Sequence, residues 1–252
     1  MINYRLTIQY DGTRYKGWQR QKSTDQTIQG KIEALLEKQF GRKIEIDGSG
    51  RTDAGVHANA QVANFRLHEE EVNGFAREPR RMQALMNEYL PEDIVVTEVK
   101  EASDRFHSRL NAVEKTYIYR IWNSEVPNVF ERKYMEQIRE PLDIPAMRAA
   151  AGWLLGTHDF ASFCGNARMK KSTVRTIHEI TIHQSGSEVQ IRYRGNGFLQ
   201  NMVRILTGTL VEVGLGKRSP EDMGEILEAK QRSQAGMMMP ACGLILWEVR
   251  YD

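Results

Sequence analysis

The residue in this sequence whose surroundings best suit chemistry is Asp53, within the stretch GSGRTDAGVHA that begins at Gly48. Gly48, Gly50 and Gly55 flank the acid closely, and glycine lets a backbone turn sharply or come close to a ligand. Arg51 precedes the acid by two positions and favours its ionised form if both side chains face one cleft. An ionised carboxylate is the form that attacks an electrophile. The same residue types are common in turns, so a plain turn is the alternative interpretation.

A second candidate, Arg204, lies in an apolar segment far along the chain. The stretch LQNMVRILTGTLV, from Leu199 to Val211, carries this one charge, and its apolar residues recur at helical spacing. Such a helix is largely buried, and a buried arginine needs an anionic partner because an unpaired buried charge costs roughly 3–5 kcal/mol. Asp53 is the predicted partner. The alternative is that Arg204 points to the surface, because it falls opposite the apolar stripe of the helix.

The reaction class is narrowed by the absence of a second acid. An ordinary glycoside hydrolase uses two carboxylates, and the stretch around Asp53 supplies one carboxylate among basic residues. A lone carboxylate of this kind suits a nucleophile that acts on an RNA nucleotide. The candidates to stack on an extruded base, or to fill the space it leaves, are Arg51, Tyr117, Tyr119 and Trp18.

Alternating and helical patterns predict the elements that position these residues. RLTIQY, QVANFRL, DIVVTEV and VEKTYIYRIW alternate as strands do, and KIEI is a short strand that leads into the Asp53 stretch. Residues 28–40 repeat apolar side chains at helical spacing and end at Gly41, a C-cap residue. In the second half, TIHEITIH and EVQIRYR form a hairpin, residues 198–213 form a long helix, and GLILWEVRY is a last strand.

These strands outnumber the crossover helices that a parallel sheet needs. The sequence therefore predicts an α+β fold, with two similar α/β halves and helices packed on a mainly antiparallel sheet. Residues 1–105 form the N-terminal half, which carries the loop with Asp53. Residues 106–252 form the C-terminal half, which carries the strand with Tyr117 and the helix with Arg204.

Composition excludes several classes of protein. Of the 252 residues, 40% are hydrophobic and 27% are charged, as in ordinary globular domains. No apolar run approaches the roughly 18 residues of a membrane span, and the first residues lack the apolar core of a signal peptide, so a cytoplasmic protein is expected. The two cysteines are far apart, which argues against a disulfide framework and against structural zinc. Basic clusters within a net charge of +2 are compatible with a polyanionic partner.

Around Asp53 the sequence resembles the tRNA pseudouridine synthase A family, whose signature loop is similar to GRTDAGVHA. The resemblance extends over almost the whole chain, through YDGTRYKGWQRQ, LPEDIVV, FHSRLNAVEKTYIYRI, GNGFLQNMVRILTGTLVEVG and PACGLILWEVRY. The segment HEEEVNGFAREPRR is longer than is usual in the family, which bears on RNA contacts and not on the chemistry. In FHSRL, Ser108 and Leu110 stand where Ala and Phe are commoner.

The resemblance implies an enzyme that needs neither a cofactor nor a metal. In such enzymes uridine becomes pseudouridine at positions 38, 39 and 40 of the tRNA anticodon stem and loop. Asp53 falls on the family's nucleophile, and Arg204 falls on the arginine that pairs with it. Arg51 falls on the arginine that helps to extrude the base and then occupies its place. Tyr117 falls on the tyrosine that stacks on the uracil, and proton transfer by its hydroxyl is a further expectation.

The resemblance also implies a homodimer whose subunits both contact one tRNA, and a fold of two α/β halves around one continuous sheet. Further candidate RNA contacts lie in the basic loop after the first strand, in the Asp53 stretch and in FHSRL: Arg14, Lys16, Trp18, Arg20, His57 and Arg109. Two alternatives stay open. One is the same chemistry at other RNA positions, and the other is a non-catalytic RNA-binding protein on the same scaffold.

Overall fold

A computed structural model describes residues 1–72, 78–166 and 168–252 of the chain. These residues form five α-helices and ten strands, which confirms the predicted α+β class. Contacts divide the chain into two compact units. The first unit comprises Met1–Val113 and Leu246–Asp252, and the second comprises Glu114–Ile245. Among the described residues, no helix has both the length and the apolar character needed to cross a membrane.

The first unit is built on strands in the order β4–β1–β3–β10. β1 pairs antiparallel with β3 and β4, and the two-residue strand β2 pairs antiparallel with β3. The strands are β1 (Ile2–Tyr10), β2 (Asp47–Gly48), β3 (His57–Leu67), β4 (Ile94–Ala102) and β10 (Leu244–Tyr251). The helices are α1 (Ile28–Phe40) and α2 (Pro79–Tyr89). Alternate side chains of β1 point into the core, where Tyr4, Leu6 and Ile8 are fully buried.

Helix α1 is confirmed at both of its ends. The Thr27 hydroxyl accepts a hydrogen bond from the Gly30 amide at 3.2 Å and so caps the first turn. Gly41 ends the helix with φ of +69°, a left-handed conformation that favours glycine. Ile28, Ile32 and Leu36 recur every four residues and are fully buried.

The short strand predicted for KIEI is wrong, although Ile44 and Ile46 are buried as the pattern indicated. The Ile46 amide donates to Glu33 Oε1 at 3.1 Å, and the Ile46 carbonyl accepts from Gln29 Nε2 at 3.1 Å. Side chains of α1 therefore take the backbone groups that a strand would offer to a neighbour. Pairing with β3 begins one residue later, at β2.

The second unit carries strands in the order β5–β9–β8–β7, each antiparallel to its neighbour, and β6 runs parallel to β5. The strands are β5 (Ala112–Asn123), β6 (Glu136–Ile138), β7 (Gly156–Asp159), β8 (Val174–Ser185) and β9 (Glu188–Gly195). The helices are α3 (Ile144–Gly152), α4 (Met202–Gly214) and α5 (Asp222–Ala229). The predicted hairpin is β8–β9, and the mainly antiparallel pairing is confirmed in both units.

Helix α4 is largely buried, as its composition predicted, and its exceptions are Arg204 and Glu212. It begins at Met202 rather than at residue 198, because Asn201 adopts a left-handed conformation with φ of +59°. A segment of residues 236–239 lies directly against this helix and is named the α4 strap.

The α4 strap can come so close because Gly208 lacks a side chain. A Cβ atom at Gly208 would lie 1.8 Å from the Met237 carbonyl oxygen. The Gly236 amide donates to Thr209 Oγ1 at 2.9 Å, which attaches the strap to the middle of the helix.

Candidate active site

Asp53 lies half-buried in the Asp53 loop (residues 49–56), which joins β2 to β3. This loop packs against the β1–α1 loop (residues 11–27) of the same unit. The Trp18 amide donates to the Thr52 carbonyl at 3.0 Å, directly beside the acid. The position of the carboxylate therefore depends on two loops that are far apart in the sequence.

Two glycines of the β1–α1 loop make this packing possible. Gly17 has φ of +97°, and a Cβ atom there would lie 2.7 Å from the Thr52 carbonyl oxygen and 3.2 Å from the Asp53 carbonyl carbon. At Gly12, a Cβ atom would lie 2.0 Å from the Val56 carbonyl oxygen. Both neighbours are backbone atoms, which cannot rotate away as a side chain can.

Two of the glycines that flank Asp53 serve the same packing. Gly55 has φ of +79°, and its amide donates to the Tyr15 carbonyl at 3.2 Å. A Cβ atom at Gly48 would lie 2.5 Å from Nε1 of Trp18. The sequence suggested that these glycines let a ligand come close to the backbone. At Gly48 and Gly55, the group that comes close is the protein's own β1–α1 loop.

Buried polar groups hold the Asp53 loop from its inner side. Tyr10 and Thr52 share a hydroxyl–hydroxyl hydrogen bond of 2.8 Å. Gln61 accepts from the Ser49 hydroxyl at 2.6 Å and donates to the Gly50 carbonyl at 3.0 Å. Burial raises the pKa of Tyr10 above its ordinary value, so that its hydroxyl stays neutral. The loop is thus fixed on both faces, and such fixing is what a reacting carboxylate needs.

Arg51 is exposed and lines a pocket of about 100 Å³ within the first unit. The pocket brings together three residues predicted from the sequence, Arg51, Trp18 and Arg109. Trp18 is 2% exposed, so most of its ring belongs to the core. The full lining is Trp18, Gln19, Gln29, Ile46, Asp47, Gly48, Gly50, Arg51, His107 and Arg109.

His107 is a member of this pocket that the sequence reasoning missed. Its Nδ1 accepts a hydrogen bond from the Arg109 amide at 3.1 Å, so in the neutral ring the proton is on Nε2. That Nε2 lies 3.8 Å from Asp47 Oδ2. The available signal was its place in FHSRL, two residues before the predicted Arg109.

Two predicted RNA contacts of the β1–α1 loop are engaged in ion pairs. Arg14 Nη2 lies 2.6 Å from Asp93 Oδ2, and the hydrogen bond to Asp93 raises the pKa of Arg14. Arg20 Nη1 lies 2.9 Å from Glu33 Oε2. Both arginines are exposed, so each remains accessible while it is paired.

The two other predicted contacts of this region differ in burial. Lys16 is exposed. His57 is 4% exposed, and its Nδ1 accepts from the Gly12 amide at 3.1 Å. The structure therefore places His57 as a support for the β1–α1 loop.

In the second unit, Tyr117 lies on β5 opposite Tyr193 of β9 and is 8% exposed. Its ring meets the Phe198 ring edge to face, with centroids 5.2 Å apart and an interplanar angle of 82°. Tyr119, the other tyrosine considered from the sequence, is fully buried and donates to the Pro240 carbonyl at 2.8 Å. Tyr117 is therefore the better candidate of the two for a stacking role.

Arg204 is half-buried near the start of α4 and is held by the α4 strap. Its Nε donates to the Met239 carbonyl at 2.6 Å, and the Met239 amide donates to the Arg204 carbonyl at 3.2 Å. One of the five N–H donors of the guanidinium is thus used to fix its position. The pairing of Arg204 with Asp53 remains a prediction.

Comparison with known proteins identifies the group to which this chain belongs. A family model described as tRNA pseudouridine synthase matches residues 6–111 and 150–252. The chain belongs to this family. Similar synthases cover nearly its whole length. One named tRNA pseudouridine synthase A, from Bacillus sp. (strain KSM-64), is 53% identical over 246 residues, or 98% of each chain.

Two further relatives have the same extent. tRNA pseudouridine synthase A 2 from Bacillus cereus (strain ZK / E33L) is 48% identical over 251 residues, or 100% of each chain. tRNA pseudouridine synthase A 1 from Clostridium tetani (strain Massachusetts / E88) is 46% identical over 251 residues, or 100% of each chain. Among solved structures, a chain of a Cbf5-Nop10-Gar1 complex is 10% identical with a TM-score of 0.37, over 96% of this chain and 48% of that one. A TM-score this low does not establish a shared fold.

Proposed function

We propose that this protein is a tRNA pseudouridine synthase that isomerises uridine at positions 38, 39 and 40 of the anticodon stem and loop. The observation that carries the proposal is the Asp53 loop, in which a half-buried carboxylate is held by backbone contacts that depend on glycine. Its place in a chain that belongs to the tRNA pseudouridine synthase family supplies the substrate class.

The reaction conserves every atom of the nucleotide. The bond between N1 of uracil and C1′ of ribose breaks, a bond between C5 and C1′ forms, and the hydrogen lost from C5 is balanced by one gained at N1. Asp53 adds to C6 of the base, acts at C1′ or takes the 2′ proton. Each of these routes needs an ionised carboxylate at bonding distance. No step calls for a redox partner, because substrate and product are isomers.

The remaining roles follow the resemblance of the sequence to the family. Arg51 is exposed at the edge of its pocket, where it can reach into an RNA helix and occupy the place of an extruded base. Tyr117 stacks on the uracil and moves a proton. Arg204 pairs with Asp53 and keeps it ionised, while the strap carbonyl of Met239 fixes the direction of the guanidinium.

RNA contacts spread over the basic residues of the first unit. Arg109 shares the pocket of Arg51, and Lys16 is exposed on the β1–α1 loop. Arg14 and Arg20 are each paired with a carboxylate but remain exposed, so each guanidinium can also contact a phosphate. Loss of any one phosphate contact weakens binding without changing the site of modification.

A homodimer and a cytoplasmic location complete the proposal. The dimer rests on the resemblance to enzymes in which both subunits contact one tRNA. Sedimentation equilibrium of the purified chain tests it, and a monomer at micromolar concentration would contradict it. The location follows from the tRNA substrate and is tested by fractionation of cells that express a tagged chain.

The decisive experiment incubates unmodified tRNA transcripts with purified protein and maps pseudouridine by chemical labelling and primer extension. Asp53→Asn is the matched variant because it is nearly isosteric and uncharged. Signal at positions 38 to 40 with wild type, reduced more than about a thousand-fold in the variant, is the expected result. Binding of tRNA without signal from either protein would instead indicate a non-catalytic RNA-binding protein. Signal at other positions would refute the assignment of the substrate site.

A further inference from the structure

The second unit contains a cleft of about 580 Å³ that takes no part in the chemistry described above. Four cationic side chains line it, Lys170, Lys171, Lys230 and Arg232, against one carboxylate, Asp159. The lining therefore carries three net positive charges. A volume of this size is that of an ordinary ligand site and is sufficient for a nucleotide unit.

The carboxylate in the cleft is already satisfied by the protein. Asp159 accepts from the Thr173 hydroxyl, from the Ala161 amide at 3.2 Å, and lies 3.3 Å from Lys230 Nζ. These partners, the Thr173 hydroxyl above all, hold the pKa of Asp159 below its ordinary value. Asp159 thus stays ionised, is neutralised by Lys230, and does little to repel an anion.

The cleft is lined by three further cations, Lys170, Lys171 and Arg232. Lys170 and Lys171 are exposed and adjacent in the sequence, so that their amines can follow successive charges on an extended anion. Arg232 donates from Nη1 to the Ala235 carbonyl at 3.2 Å, which fixes the guanidinium and leaves further N–H groups for bidentate contacts.

We propose that this cleft binds the sugar–phosphate backbone of the RNA substrate, at phosphates other than those next to the modified uridine. This inference rests on the proposed tRNA substrate. A phosphodiester chain offers one charge per nucleotide and many acceptor oxygens, which suits a cleft lined by three lysines and an arginine whose guanidinium is fixed. The cleft contributes to affinity and leaves the chemical step unchanged, because none of its lining residues belongs to the Asp53 loop, to β5 or to α4.

The test compares two doubly substituted proteins with equal loss of charge. Lys170→Gln with Lys171→Gln removes two cations from the cleft. Arg139→Gln with Lys217→Gln removes two exposed cations of the same unit that do not line it. Thermal melting checks that both fold. The dissociation constant for a tRNA transcript is then measured by filter binding at several salt concentrations, on the Asp53→Asn background so that binding is separated from turnover.

The cleft variant is expected to bind tRNA roughly tenfold or more weakly near physiological salt, with a slope of log Kd against log salt reduced by about one to two. Its maximal rate at saturating tRNA, measured with Asp53 present, stays within about twofold of wild type. Equal affinities and slopes in the two double variants would overturn the proposal, and so would a failure of the Asp53→Asn protein to bind tRNA. If pseudouridine is absent but the cleft variant binds tRNA more weakly than the control, the isomerase assignment fails and the cleft assignment stands.

Discussion

Replacing Gly17 by alanine tests whether the β1–α1 loop positions the nucleophile. The new Cβ atom would lie 2.7 Å from the Thr52 carbonyl oxygen, whereas ordinary contacts begin at 3.4 Å. One of the two loops must therefore move by about 0.7 Å, the difference between these distances. Both atoms concerned are on or next to the backbone, so the movement reaches Asp53, whose carbonyl carbon lies 3.2 Å from the same Cβ.

Two costs combine at this position. The left-handed backbone at Gly17, with φ of +97°, costs an alanine roughly 1–2 kcal/mol, and the overpacked contact costs roughly 1–3 kcal/mol more. A displacement that approaches 1 Å lowers the rate of a positioned reaction by up to about a hundredfold. We therefore expect Gly17→Ala to lose about 2–5 kcal/mol of unfolding free energy and between about tenfold and a hundredfold in kcat.

Gly41→Ala is the matched control. Gly41 also has a left-handed backbone, with φ of +69°, but a Cβ atom there meets nothing within 4 Å. This variant carries the backbone strain without the contact, and it is expected to lose about 1–2 kcal/mol of stability and less than twofold in kcat. Urea unfolding gives the stabilities, and single-turnover formation of pseudouridine at a temperature where both variants are folded gives the rates. Equal kcat values for the two variants would refute the conclusion that Gly17 positions Asp53.

Three further predictions concern single side chains. Tyr117→Phe keeps the ring and removes the hydroxyl. Because the hydroxyl is proposed to move a proton, kcat should fall by about a hundredfold or more while the Kd for tRNA is unchanged. An unchanged single-turnover rate would limit the role of Tyr117 to stacking. The hydrogen bond from Arg42 holds the pKa of Glu71 at about 2, below its ordinary value of 4.5, so the pair stabilises the fold above pH 4.5 and this contribution is lost as the pH falls toward 2. Glu71→Gln should therefore cost up to about 1 kcal/mol in urea unfolding at pH 7, and a difference from wild type that does not shrink below pH 4.5 would contradict the assignment. Burial, with the nearby carboxylate of Glu136, raises the pKa of the Cys242 thiol to about 11. In a variant without the other cysteine, alkylation of Cys242 by iodoacetamide at pH 8 should therefore be about a hundredfold slower than for an ordinary thiol, and faster after Glu136→Gln. An alkylation rate typical of a free thiol would disprove the raised pKa.

The sequence predicted well those elements whose signals are local. The α1 stripe and its cap at Gly41 are properties of one segment, and both are present in the structure. KIEI shows where a local pattern fails. Its apolar residues are buried as the alternation requires, but the hydrogen bonds of Ile46 go to side chains of α1, which alternation within the segment cannot reveal. The return of residues 246–252 to the first unit is likewise a long-range fact.

The candidate site likewise has features that one segment of the sequence reveals and features that depend on contacts between distant segments. The Asp53 stretch could be recognised because its glycines, acid and arginine are adjacent in the sequence. The reason for those glycines could not be recognised, because Gly48 lies against Trp18 and Gly55 bonds to Tyr15, thirty and forty residues away. His107 was missed for a related reason, because the pocket that it lines is completed by Arg51 of the Asp53 loop, which is distant in the sequence.

The α4 strap has a consequence for how the protein tolerates damage and change. Arg204 is tied to the main-chain carbonyl of Met239, and main-chain atoms survive both side-chain oxidation and most substitutions. Met237 and Met238 are 58% and 42% exposed, so peroxide can convert them to sulfoxides while the guanidinium of Arg204 keeps its anchor. Substitutions should therefore be tolerated at the exposed Met237 and Met238 and excluded at Gly208, because a side chain at Gly208 would keep the strap away from the helix.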